Sequence, residues 1–178
     1  CQPDWLGSEV KVTVASTFSG TVDVSAGGLV GVVDPYATIS DAYALGNVSV
    51  AGTSTDSKSL LSAGGLVGGL SGTVERAYST GAVLAGNGNV IAASFGGFIG
   101  KRYEGSSVAF GYWDTGTSGL TDAVGQQGSA IGIAGLTTAQ ARTQSSYTGG
   151  EGSFDFGTSE GTWFMVDGQT RPFLRAEY

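Results

Sequence analysis

Between Val10 and Val24 the chain reads Val-Lys-Val-Thr-Val-Ala-Ser-Thr-Phe-Ser-Gly-Thr-Val-Asp-Val, with apolar and polar side chains alternating about a glycine. Alternation of period two with β-branched residues predicts strand. Its Ser-Gly-Thr-Val matches Leu-Gly-Asn-Val at 45–48 and Thr-Gly-Ala-Val at 80–83, which makes it the tail of an earlier repeat. Farther along, the apolar pairs Leu29-Val30, Leu66-Val67 and Phe98-Ile99 sit inside GGLVG, GGLVG and GGFIG, starting at Gly27, Gly64 and Gly96. Such pairs are too short for helix, and flanking glycines weaken one, so they predict short strands. Neighbours on a strand point to opposite faces, so either both faces are covered or the chain bends at a glycine.

Each glycine motif leads into a second block: Ile39-Ser-Asp-Ala-Tyr-Ala-Leu-Gly46, Val74-Glu-Arg-Ala-Tyr-Ser-Thr-Gly81 and Val108-Ala-Phe-Gly-Tyr-Trp-Asp-Thr115. Successive motifs start 37 and 32 residues apart, and most of the difference lies in the connections Ser49 to Ala63 and Leu84 to Ser94. Periods of this size mean units that stack because none buries its apolar face alone. The connections, rich in Ser, Thr, Asn and Gly, are expected to protrude from one edge. Stacked coils lie one strand spacing apart, so like residues should stand over like. Tyr43, Tyr78 and Tyr112 form one predicted ladder, and Asp41 falls beside Arg76 as an opposite-charge pair.

After Trp113-Asp-Thr the repeat lapses into a glycine-rich passage to Ala134. Thr137-Thr-Ala-Gln-Ala-Arg-Thr-Gln then predicts one short helix with a threonine cap. Phe154-Asp-Phe predicts a strand, and Trp163-Phe-Met-Val with Arg171-Pro-Phe-Leu a β-hairpin about Asp167-Gly168. An open stack end needs a cover, so this segment is expected to cap it. The predicted fold is all-β, a β-solenoid resembling a parallel β-helix, of about three repeats over 1–134 with a C-terminal cap over 135–178, as one structural unit.

Composition changes this picture mainly by exclusion. The formal charge of −7 is the wrong sign for nucleic acid, and no apolar run is long enough to span a bilayer as a helix. The opening Cys-Gln-Pro-Asp-Trp has no signal-peptide character, so the sequence reads as mature or excised, with Cys1 either a lipidated terminus or a cut site. With 0 histidines and 1 cysteine, serine and cysteine triads, thiolate and histidine metal sites and intramolecular disulfides are excluded. Carboxylate chemistry is left, through Asp34, Asp41, Glu75 and Asp114, as in sugar-cleaving β-helices. No two of these share a column, and Asp34 lies in a Pro turn. Calcium-loop spacings are absent, and Asp155 and Asp167 read as turn residues. No cofactor is expected. The tyrosine column is either a structural ladder or an aromatic platform, and Tyr36 and Tyr103 stand singly beside turns.

GGLVG followed by Ala-Tyr-Ser-Thr-Gly-Ala-Val resembles the GLUG repeat of bacterial surface proteins. Tyr112-Trp-Asp-Thr115, Gly135-Leu-Thr-Thr-Ala-Gln140 and Arg171-Pro-Phe-Leu-Arg175 are similar to the segment that ends such arrays in large filamentous-haemagglutinin-like exoproteins. The resemblance implies an extracellular or bacterial cell-surface protein of β-helical character, often an adhesin. GLUG repeats also flank some immunoglobulin A metalloproteases, but a chain without histidine does not carry that activity. The expectation is therefore a non-catalytic structural or adhesive module. Its expected partners are a host protein, a glycan, other cells or neighbouring repeats of a longer protein. The alternative is a carbohydrate-active β-helix enzyme working through carboxylates.

Overall fold

The structure is a computed structural model that describes residues 9–15, 23–53, 60–85, 92–157 and 160–177. The chain is all-β and coils as a stack of parallel strands. The strand Glu9–Ala15 (β1) enters first. The first full coil holds Asp23–Gly27 (β2), Val30–Val33 (β3), Thr38–Ala44 (β4) and Asn47–Thr53 (β5). The second repeats it with Leu60–Gly64 (β6), Val67–Leu70 (β7), Thr73–Ser79 (β8) and Val83–Ala85 (β9). A third supplies Ala92–Gly96 (β10), Ile99–Arg102 (β11) and Ser107–Asp114 (β12). Ile133–Leu136 (β13) follows, then the short pair Trp163–Phe164 (β14) and Phe173–Leu174 (β15).

Each strand of a coil joins its own sheet, so the coil has four sides. Sheet A runs β1-β5-β9, sheet B β2-β6-β10, sheet C β3-β7-β11 and sheet D β4-β8-β12-β13. The pairings are parallel and in register: Gly27 over Gly64 over Gly96, Ile39 over Val74 over Val108. Sheet A pairs Val10 with Val48 and Val48 with Val83. The earlier coil therefore enters through β1. The Ser-Gly-Thr-Val expected to mark it lies outside the described residues.

The chain bends between sheets B and C, at the glycine pair. A Cβ on Gly64 would lie 2.5 Å from Gly100 N and 2.8 Å from the Ile99 carbonyl carbon, and closer still to the Val67 oxygen. Glycine is required here because main chain packs on main chain, with Leu66 N donating to Phe98 O at 2.9 Å and Gly65 N to Gly96 O at 3.2 Å. In coils two and three the bend turns both apolar residues of the motif inward, whereas Leu29 of the first coil is 44% exposed. Leu66, Val67, Phe98 and Ile99 are fully buried with Leu70, Val74 and Ala77, each large side chain contributing roughly 1.5–3 kcal/mol.

Ser118 O accepts from Val83 N and so completes the third coil beside sheet A. A partial fourth coil closes the downstream end: Ala123 O accepts from Phe98 N and Ile99 N, Val124 bridges Ile99, and β13 lies beside β12. The boundary expected at 134/135 thus falls inside β13.

The C-terminal segment departs from the expected end cap. Its aromatic residues pack along the outer face of sheet D, where Tyr147, Phe154, Trp163 and Met165 are buried with Tyr78, Tyr112 and Leu136. The segment runs back to the first coil, where the Tyr43 hydroxyl donates to Glu177 at 2.7 Å. It is a lateral strap. The physical reason is that the fourth coil already covers the end, whereas the tyrosine column leaves a broad aromatic face to bury.

Two local expectations are also corrected, and a third, the hairpin, holds in short form. The helix over 137–144 is realised as two 3-10 turns, Gln140–Arg142 and Gln144–Ser146. Thr137 and Gln140 do cap each other, Gln140 N donating to the Thr137 hydroxyl and Thr137 N to the Gln140 side chain. Extended Thr143 then breaks the run, so that Tyr147 reaches the tyrosine face and donates to Ala141 O at 2.9 Å. Phe154-Asp-Phe is irregular rather than strand, its rings filling the aromatic cluster. The hairpin forms, with only two residues per strand, and Gly168 at φ 76° serves its turn.

Candidate functional site

Two outer surfaces bear on function: the face of sheet D and the turns that join sheets C and D. On sheet D, Tyr43, Tyr78 and Tyr112 are register partners. The Tyr43 and Tyr78 rings stack at 5.2 Å and 5°. Tyr147 of the strap inserts beside the next pair, 6.3 Å from Tyr78 and 4.9 Å from Tyr112. The Tyr78 hydroxyl donates to Pro172 O. Burial pushes the Tyr78 phenol well above its ordinary range and also raises Tyr112 and Tyr147. These rings are packing units beneath the strap, so the column is not an open platform.

Two residues before each tyrosine, Asp41, Arg76 and Phe110 take positive φ of 51°, 47° and 55°. The pairing skips them, joining Ser40 to Glu75 and Ala42 to Ala77. This left-handed step, a bulge repeated in every coil, keeps Val74 and Ala77 both inside with two outward residues between them. An L-residue there costs about 1–2 kcal/mol, and contacts offset it. Arg76 Nε and Nη2 donate to the Asp41 carboxylate at 2.8 and 2.9 Å, and Trp163 Nε1 donates to the same carboxylate at 3.0 Å. Phe110 packs with the strap cluster. The hydrogen bond from Arg76, with that from Trp163, holds the Asp41 pKa below its ordinary value against the opposing effect of burial.

The other candidate acids are separate. Asp114 is buried and accepts from Arg171 at 2.6 Å, from the Thr138 hydroxyl at 2.9 Å and from Gly116 N at 2.9 Å. Burial alone would raise its pKa, but these donors outweigh it and the pKa is lowered. Asp114 therefore ties the strap to the third coil. Glu75 meets Arg76 Nη1 at 3.3 Å, and Asp34 is exposed in its turn. Asp155 accepts from Gly157 N and Asp167 from Gln144 N, both as turn or tether residues. Among the described residues, no group of three or more His, Cys, Asp and Glu is placed to hold a metal, and no helix is long and apolar enough to cross a membrane. Residues 54–59 and 86–91 of the two polar connections, and Cys1, lie outside the described residues. The rest of each connection, expected to protrude as loop, is instead strand in β5, β6, β9 and β10, where pairing with the neighbouring coil takes up its main-chain groups.

The C-to-D turns are where the coils differ. The register sets Val33, Leu70 and Arg102 in one row and Thr38, Thr73 and Ser107 in another. Coils one and three therefore have four-residue turns, Asp34-Pro-Tyr-Ala37 and Tyr103-Glu-Gly-Ser106, whereas coil two has only Ser71-Gly72. In both long turns the fourth residue's N–H bonds back to the first carbonyl, Ala37 to Asp34 at 3.1 Å and Ser106 to Tyr103 at 3.3 Å. The third position has positive φ in each: Gly105 at 83° and Tyr36 at 69°. Tyr36 thus occupies a position where the equivalent turn uses glycine, and its side chain is wholly exposed, at 104%. Sequence reading placed Tyr36 and Tyr103 beside turns but had no signal that they share one corner.

No family model matches the chain, and neither a search of curated proteins nor one of solved structures finds a match.

Proposed function

We propose that this chain is a non-catalytic structural and adhesive module, a rigid stack that presents turns and side loops to a partner. The observation that carries this reading is the use made of its acids. Asp41 is held by Arg76 and Trp163, and Asp114 by Arg171, Thr138 and Gly116. A carboxylate held ionised by an arginine is a poor general acid, and both lie under or beside the strap as fastenings. Repetition along an axis suits multivalent contact more than a single preorganised pocket.

The GLUG-type motifs support placing the module on a bacterial cell surface or outside the cell, with host protein, matrix glycan or other cells as partners and further repeats as neighbours. The rival reading, a carbohydrate-active enzyme using carboxylates, would need two acids converging in a groove. The test incubates the purified chain with bacterial and host polysaccharides and with unfolded protein. Product release and binding are both measured, along with binding to host cells. The expected result is binding without turnover. Sustained product formation lost in Asp34→Ala, Asp41→Ala, Glu75→Ala or Asp114→Ala overturns the proposal, as does absence of any binding for its adhesive part.

A further inference from the structure

The corner between sheets C and D has the shape and chemistry of a small recognition site. The short Ser71-Gly72 turn of coil two lies between the long turns of coils one and three, whose backbones are two strand spacings apart, about 9.6 Å. The main chain ties the three turns together: Ser71 N donates to Val33 O, Thr73 N to Ala37 O, Tyr103 N to Leu70 O and Ser107 N to Gly72 O, at 2.9–3.0 Å. The notch is therefore preformed. On one wall Tyr36 projects with both ring faces free. On the other, Tyr103 is held by Lys101, whose Nζ lies 4.7 Å from the ring centroid, and lies over Gly69, where a side chain would meet Tyr103 Cε2 at 3.6 Å. Asp34 and Glu104 are exposed in the same two turns, and the Thr73 and Ser107 hydroxyls lie 3.0 Å apart beside them.

Tyr36 takes a backbone conformation that glycine takes in the equivalent turn, and being wholly exposed it regains nothing by burial. An aromatic with free faces on a hydrogen-bonded turn, flanked by acceptors and hydroxyls, matches a ligand with apolar C–H faces and many hydroxyl donors. A notch this narrow is far below the area of a stable protein interface. The two carboxylates, on a chain of net charge −7, disfavour anionic ligands.

We propose that this corner binds a neutral saccharide chain, with Tyr36 stacking on a pyranose face and Asp34 and Glu104 accepting from its hydroxyls. The inference rests on the binding reading above and names its site and ligand class. The test is calorimetric titration of the full chain with neutral hexasaccharides of glucose, galactose, mannose and N-acetylglucosamine, beside a polyuronic hexasaccharide. At least one neutral sugar should bind. Tyr36→Gly should weaken that binding at least tenfold without lowering the melting temperature, Tyr36→Trp should retain it, and Tyr103→Ala should weaken it. Unchanged affinity in Tyr36→Gly, or tighter binding of the acidic sugar, overturns the inference. Binding to cells or proteins with no neutral sugar bound overturns it and leaves the adhesive reading standing. Binding to none of these overturns both.

Discussion

Gly64→Ala isolates the step on which the coil depends. The added methyl would stand 2.5 Å from Gly100 N and 2.8 Å from the Ile99 carbonyl carbon, all of it main chain that no rotamer change can move aside. Restoring ordinary contact means opening the bend to move the still closer Val67 oxygen and separating coils two and three by about 1 Å at this corner, past hydrogen-bonding range for Leu66 N to Phe98 O and Gly65 N to Gly96 O, now 2.9 and 3.2 Å. Two such bonds contribute about 1 kcal/mol each, and overpacking adds about 1–3 kcal/mol. The smaller conformational entropy of alanine in the unfolded chain returns about 0.4–1 kcal/mol. The net loss is about 2–4 kcal/mol, a large part of an ordinary domain's stability. At roughly 2–4 °C per kcal/mol for this size, thermal unfolding followed by circular dichroism should show melting lowered by about 10 °C. Two glycines serve as references. At Gly31 the nearest atom to the new methyl is Ser25 O at 3.1 Å, and at Gly105 nothing lies within 4 Å although φ is 83°. Gly31→Ala and Gly105→Ala should each cost about 1 kcal/mol or less through crowding and about 1–2 kcal/mol through φ, respectively. Gly64→Ala melting within 2 °C of the parent, or above Gly31→Ala, would refute the claim that main-chain contact selects the glycines.

Arg171→Met leaves the Asp114 carboxylate buried with only hydroxyl and backbone donors. It should destabilise by about 3 kcal/mol in urea unfolding, at the low end for a broken buried pair. Because the folded pKa values of Asp41 and Asp114 are lowered, their stabilisation is present above the unfolded value near 3.9 and lost as pH falls through the folded values. Acid unfolding midpoints should therefore lie below about pH 4, and Asp114→Asn should flatten that dependence. Tyr78, Tyr112 and Tyr147 have raised values, so their contribution is complete below the unfolded pKa near 10 and is lost as pH rises through the folded ones. Ultraviolet titration should show their ionisation coinciding with unfolding above about pH 10. Trp163→Phe removes the indole donor to Asp41 while keeping a ring in the cluster. The lost hydrogen bond to a charged group should cost about 1.5–3 kcal/mol, and that part of the cost should disappear in an Asp41→Ala background, where no acceptor is left.

The coil stack was readable in the sequence because stacking imposes the same requirement on every repeat. Gly27, Gly64 and Gly96 face the same crowding at one corner, and Tyr43, Tyr78 and Tyr112 share one register. The left-handed column was hidden because Asp41, Arg76 and Phe110 share a backbone conformation and no side-chain chemistry. The strap was hidden for another reason. Its fastenings join residues 134, 122 and 94 positions apart, Tyr43 to Glu177, Asp41 to Trp163 and Tyr78 to Pro172, and a segment that occurs once leaves no period to read. Aromatic density showed that it must bury itself against the repeats, but not against which side. The corner proposed as a saccharide site depends on one turn being shorter than its neighbours and on the φ of Tyr36, both of which need the register first.

That the strap lies along the stack, and not over its end, decides which faces remain open for binding. It is tested most directly by a pair of distances. In a Cys1→Ser background, spin labels at the exposed positions Ser40 and Ala176 report on the first coil, and labels at Ala134 and Ala176 on the fourth. Dipolar broadening should be strong for the first pair. The second pair should be longer by roughly three strand spacings, about 14 Å. A strong coupling between 134 and 176 with none between 40 and 176 would contradict the lateral strap and return the segment to the end of the coil.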